Sequence, residues 1–216
     1  MKKNTFMRVA SALLVAVLLT TCAIAGTFAK YTTSKESTDT ARVAKWGVVI
    51  NVEVDGAFAT EYEADATDYT ASANTVVSSG TDNLLAPGTS GDLLADATIS
   101  GTPEVAVRIT KEATLELTGW VANGDYYCPL VITVDGTNVV KGTDYASAAE
   151  FIAAVEALLD DVSDYAPNTD LAESHSVTWE WAFEGDNVKD TALGNAAVAG
   201  DITIAFTLSI TVEQID

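Results

Sequence analysis

Cysteine is almost missing: Cys22 and Cys128 are the only two in 216 residues. Two thiols close at most one bridge, and a cut after Ala29 would leave Cys128 alone. A disulfide-stapled scaffold is therefore excluded, and stability has to come from a packed core. Histidine occurs once, at His175, too few for the histidine-rich zinc sets. HExxH, P-loop, GxGxxG and CxxC patterns are absent, so the common hydrolase, nucleotide and redox classes have no motif here. Basic residues are scarce as well, 11 against 31 acids, for a net charge of −20. Three of the eleven precede Lys30 and no acid does, so the remainder carries eight against thirty-one, a net −23. Such a surface repels phosphate backbones and anionic lipid, which excludes nucleic acid as a partner. No sorting motif or apolar tail follows Val212, so covalent wall anchoring by that route is not expected.

What is present begins with an export signal. Lys2, Lys3 and Arg8 form a basic start, Val9 to Leu19 an uncharged apolar stretch, and small residues lead to Gly26-Thr27-Phe28-Ala29. Thr27 and Ala29 are the small side chains a signal peptidase needs three residues and one residue before its cut. The sequence thus predicts a signal peptide over 1–29, cleavage between Ala29 and Lys30, and a protein that is secreted or held at the cell surface. An uncleaved anchor and a lipoprotein at Cys22 are the alternatives. The apolar run is short for a spanning helix, and Thr21 stands where a lipobox wants Gly, Ala or Ser.

Hydrophobic residues make up 48% and charged residues 19% of the chain, enough for a core. Period-two alternation marks strands. Val48, Ile50, Val52 and Val54 share one face, as do Leu93, Ala95, Ala97 and Ile99. Val105, Val107 and Ile109 precede Ala113, Leu115 and Leu117, with Lys111 interrupting. Leu130, Ile132 and Val134 run into an Asp135-Gly136 turn. Val177, Trp179, Trp181 and Phe183 put three aromatics on one core face, and the run from Ile202 to Val212 is the longest. One segment reads as a helix, about 147–160: Ser147 and Glu150 form a capping box before Phe151, Ile152, Val155, Leu158 and Leu159. The expectation is an all-β, two-sheet β-sandwich, jelly-roll-like, over 41–216, with one inserted helix.

Candidate sites are few. Cys128 reads as a buried small hydrophobe and His175 as a surface or loop residue. Asp160, Asp161, Asp164 and Asp170 lack EF-hand spacing and read as a solvated acidic loop. The stretch from Glu184 to Asp190 could hold calcium through carboxylates, though its spacing does not demand it. Trp179 and Trp181 read as core, with sugar stacking as the rival. No catalytic residue, cofactor or metal site is assigned. Residues 30–40, rich in Thr and Ser, read as a tail able to add a strand to another sheet.

At three places the chain resembles the TasA/camelysin family of secreted bacterial fibre proteins. The first is Gly26 to Tyr31 with Asp39 to Gly47, similar to the family's signal and first strand. The second is Leu85-Ala86-Pro87-Gly88-Thr89-Ser90-Gly91. The third runs from Trp179-Glu180-Trp181 through Gly185-Asp186-Asn187 and Asp190 to Gly194 into the final strand. The resemblance implies a jelly-roll subunit cut by a SipW-type signal peptidase; with no catalytic motif present, no enzyme is expected. It implies a head-to-tail homopolymer in a biofilm matrix, built by a donor segment of one copy entering the next. That segment would include Lys30, Tyr31, Thr33, Lys35, Ser37 and Asp39, and an accessory assembly protein would be a further partner. The alternatives are a monomeric surface adhesin or carbohydrate-binding module and a camelysin-like peptidase, for which no zinc motif is present.

Overall fold

The computed structural model describes residues 5–25, 41–53, 57–63, 74–198 and 202–216. It divides into two compact units, Met1–Arg42 and Val43–Asp216. The first contains α1 (Thr5–Ala25), a 21-residue helix over the apolar stretch of the signal. Among the described residues no helix is long and apolar enough to cross a membrane. The expected cleavage and donor residues Ala29, Lys30, Tyr31, Thr33, Lys35, Ser37 and Asp39 lie outside the described residues, as does Val54.

The second unit is built from strands β1 (Val48–Glu53), β2 (Glu61–Glu63), β3 (Asn74–Val77), β4 (Thr89–Gly101), β5 (Val107–Thr118), β6 (Val121–Ala122), β7 (Asp125–Tyr126), β8 (Leu130–Val134), β9 (Asn138–Lys141), β10 (Asp161–Tyr165), β11 (Leu171–Trp181) and β12 (Thr203–Gln214), with helices α2 (Ala148–Glu156) and α3 (Asn187–Ala197). Five strands form one sheet in the order β1-β4-β11-β8-β9, and three form the other, β10-β5-β12. Both are antiparallel throughout. The fold is therefore an all-β sandwich. Counting only its eight strands, 1-2-7-4-5 makes one layer and 6-3-8 the other. That is jelly-roll order except for the first strand, which a jelly roll sets beside the last. Here β1 pairs with β4 instead.

The core follows from the alternation. Leu93, Leu94, Ala97, Ala113, Leu115, Leu130, Ile132, Val177 and Trp179 are buried in one cluster, and Ile99, Val107, Ile109 and Leu171 in a smaller one. Trp179 is the largest fully enclosed side chain. Its indole nitrogen donates to Ala57 O at 2.7 Å, and its ring meets Phe58 and Tyr62. Gly91 makes that seat, since a Cβ there would stand 2.7 Å from Ala57 O and 2.9 Å from the Trp179 nitrogen. Trp179→Ala is expected to cost about 3–5 kcal/mol, measured as a fall in denaturant midpoint at constant m-value.

Several expectations need correction. Phe183 does not share the core face of Trp179 and Trp181: β11 ends at Trp181, and Phe183 is 72% exposed over the Gly88 turn. Ala95 is exposed, because register shifts between β4 and β11 break the alternation after Leu94. The acidic stretch is not a solvated loop at Asp161 and Asp164. These residues belong to β10, held by ion pairs to β5: Arg108 donates to Asp164 at 2.7 and 2.9 Å. A second inserted helix, α3, starts at Asn187, inside the stretch from Glu184 to Asp190 whose spacing did not demand calcium. Asp186 caps it by accepting from Lys189 N. The predicted helix is α2, capped by Ser147 accepting from Glu150 N.

Candidate functional site

The site emerges from the last strand. β12 pairs with β5 over twelve positions, from Thr203 opposite Thr118 to Gln214 opposite Val107, and no described strand pairs with its other edge. Residues opposite one another in an antiparallel ladder either bond each other or both point away. Ala113 N and Leu115 N point away from β12, donating to Asp160 and Glu156. Their opposites, Leu208 and Phe206, therefore turn their own N–H and C=O outward, and with them Ile204, Ile210 and Val212 by alternation. With Gln214 at the end of the ladder, the edge that no described strand covers offers six amide donors and six carbonyls in register.

The side chains of Ile204, Phe206, Leu208, Ile210 and Val212 face the core: all pack against its clusters, and the opposites of the last four, Leu115, Ala113, Lys111 and Ile109, are buried. Yet all five remain only half-buried. Across the gap β1 shows the same deficit. Ile50 lies opposite fully buried Ile99, hence on the core face, but is 41% exposed. Val48 of β1 and Ile210 and Val212 of β12 pack on the same small cluster. Among the described residues the two sheets thus end in a seam where the outward backbone groups of β12 meet no strand and its apolar side chains are only half covered.

A second cluster lies within the sandwich. Lys111, which interrupts the apolar alternation of its strand, points inward and is 7% exposed. Its ammonium donates to Glu173 Oε2 at 2.7 Å and to His175 Nε2 at 3.0 Å, and it lies 3.6 Å from Asp161. An ammonium can only donate, so His175 accepts at Nε2, carries its proton on Nδ1, and donates to Asp135 at 3.0 Å. Tyr165 OH donates to Glu173 Oε1. Burial opposes ionisation of Glu173, but the bonds from Lys111 and Tyr165 outweigh it and hold its carboxyl below the ordinary value. The Glu173 bond, with burial, pushes the Tyr165 hydroxyl up to about 12. His175 is thus not the surface or loop residue expected: it sits inside β11 with both ring nitrogens engaged. The arrangement ties the two sheets together and leaves no free base beside a nucleophile.

The other candidates separate. Asp160, Asp161, Asp164 and Asp170 each have a different partner, Ala113 N, Lys111, Arg108 and Thr102 respectively. Among the described residues no group of three His, Cys, Asp or Glu could hold a metal. Cys128 is buried, and burial raises its thiol to about 12, which makes it inert as a nucleophile. Trp179 and Trp181 are 1% and 6% exposed, so neither ring face is open for sugar stacking. Two cavities, of about 180 and about 350 Å³, flank Trp181. The first is lined by Leu85, Trp120 and Leu193, the second by Tyr127, Asp186 and Lys189. Compared with known proteins, the chain matches no family model and no curated sequence.

Proposed function

We propose that the chain is an exported structural subunit of an extracellular fibre, in which residues 30–40 of one copy add a strand to β12 of the next. The observation that carries this reading is the edge of β12 that no described strand covers, where outward backbone groups and half-covered core side chains coincide along twelve residues. An added strand satisfies both at once: its amides complete the ladder, and its alternate side chains cover Phe206, Leu208 and Ile210. The eleven residues from Lys30 to Thr40 match that edge in length, at roughly 3.3 Å per residue on either side. A donor at one end and an acceptor on the body make a head-to-tail contact that does not close, hence a filament. This is also the assembly that the TasA/camelysin resemblance implies. Signal cleavage would free the donor from the membrane.

The test is direct. Extracellular protein is expected to begin at Lys30 on N-terminal sequencing, and protein of that form is expected to yield filaments by electron microscopy. Subunits of like charge repel, so salt or mild acid should speed assembly. A mature chain that stays monomeric under every salt and pH condition would favour a monomeric surface module instead.

A further inference from the structure

The three-stranded sheet has a second edge, on the side of β5 away from β12. β10 covers only its first part, pairing with Val107–Lys111. Beyond Lys111 two of the outward amides of β5, Ala113 and Leu115, meet side chains instead of a strand. Ala113 N donates to Asp160 Oδ1 at 2.7 Å, and Leu115 N donates to Glu156 Oε1 at 3.0 Å. The two acceptors fall on alternate residues of one edge, as the carbonyls of a neighbouring strand would. Their placement is fixed by packing. Phe151, Val155 and Leu159 are buried, which seats α2 and the turn after it, and Asp160 N donates back to Glu156 O at 2.8 Å. Ionised acceptors make the stronger bonds to backbone N–H. A carboxylate also brings no donor, so an arriving strand finds its own carbonyls unmatched and facing negative charge.

We infer that Glu156 and Asp160 act as a strand mimic that closes this edge, so that the three-stranded sheet accepts an extended segment of a second copy on β12 alone. The consequence for assembly rests on the fibre reading above: one acceptor edge in this sheet gives an unbranched chain of subunits. The closure itself does not depend on that reading.

The experiment compares three mature chains starting at Lys30: wild type, the pair Glu156→Ala/Asp160→Ala, and the pair Glu156→Gln/Asp160→Asn, which keeps a carbonyl acceptor at each place. Amide hydrogen exchange is read at Ala113 and Leu115, and association by sedimentation and electron microscopy. In the alanine pair, exchange at the two amides should quicken about ten- to a hundred-fold, as expected for losing a bond to a charged acceptor. The amide pair should lie between it and wild type. The alanine pair should also give branched or laterally clumped assemblies where wild type gives single filaments. Unchanged protection at Ala113 and Leu115 overturns the inference, and so does unbranched assembly of the alanine pair. If wild type forms no filaments at all, the fibre reading fails while the closure is still decided: self-association of the alanine pair alone supports it, and a monomeric alanine pair overturns it. Should the alanine pair not fold, Glu156→Ala and Asp160→Ala taken singly report on Leu115 and Ala113 respectively.

Discussion

Deleting Lys30 to Asp39 is expected to leave a folded domain that makes no filaments. The compact unit that contains the sandwich starts at Val43, after the deleted residues. The melting curve should therefore stay close to that of the full mature chain in its monomeric form. Assembly should vanish outright, because small Thr and Ser side chains leave the ladder hydrogen bonds as the main contact, and the deletion removes every one. Within the full-length mature chain, Thr33→Pro or Ser37→Pro should weaken filaments by removing a ladder donor. A synthetic peptide of residues 30–40 offers the converse measurement. Added to the truncated domain, it should slow hydrogen exchange at Phe206, Leu208 and Ile210, whose amides face the open edge. Identical filaments from truncated and full mature protein would sink the donor-strand idea.

Lys111→Ala should be among the most damaging single replacements in the sandwich. It strips Glu173, 18% exposed, of its closest cation and leaves His175 Nε2 without a donor. Breaking a buried pair by removing one partner costs about 3–5 kcal/mol. Replacing the pair together, as Lys111→Met/Glu173→Leu, should recover much of that loss, because no uncompensated charge then remains. Chemical denaturation of the three proteins decides the matter, and a loss under about 1 kcal/mol for Lys111→Ala would mark the pair as surface-like. The pH dependence has a definite sign. The folded-state value of Glu173 is depressed, so its contribution is fully present above the ordinary 4.5 and is lost as pH falls through the lower folded value. Tyr165 is raised, so its contribution holds below the ordinary 10.0 and is lost as pH rises through about 12.

Sequence periodicity carried far where one face is buried and the other wet. β12, β8 with its Asp135-Gly136 turn, and the Val177 to Trp181 part of β11 stand where alternation puts them. Ser147 and Glu150 likewise mark the start of α2. Alternation failed where something other than apolar burial holds the chain. β10, with the sequence Asp161-Val162-Ser163-Asp164-Tyr165, is polar at most positions and is a strand because Lys111 and Arg108 pair with it. α3 buries only Asp190 and Leu193 and contains Gly194, so no apolar stripe announces it. Phe183 kept the parity of the core but lies past the end of its strand. As for the seam, its apolar side is legible in the run from Ile202 to Val212. That no described strand covers it is not, because the position of β1 beside β4 is a matter of topology that no local pattern encodes. Glu156 and Asp160 were invisible for the same reason: their partners, Leu115 and Ala113, are more than forty residues away.

The long pairing of β5 with β12 also bears on mechanics. Its strands run side by side for twelve positions, and their hydrogen bonds lie across the strand direction. A pull along β12 therefore loads the rungs together in shear, whereas a pull across it would peel them one at a time. A tether attached in line with this strand would pass tension into the longest ladder among the described residues, the geometry suited to carrying load without unravelling.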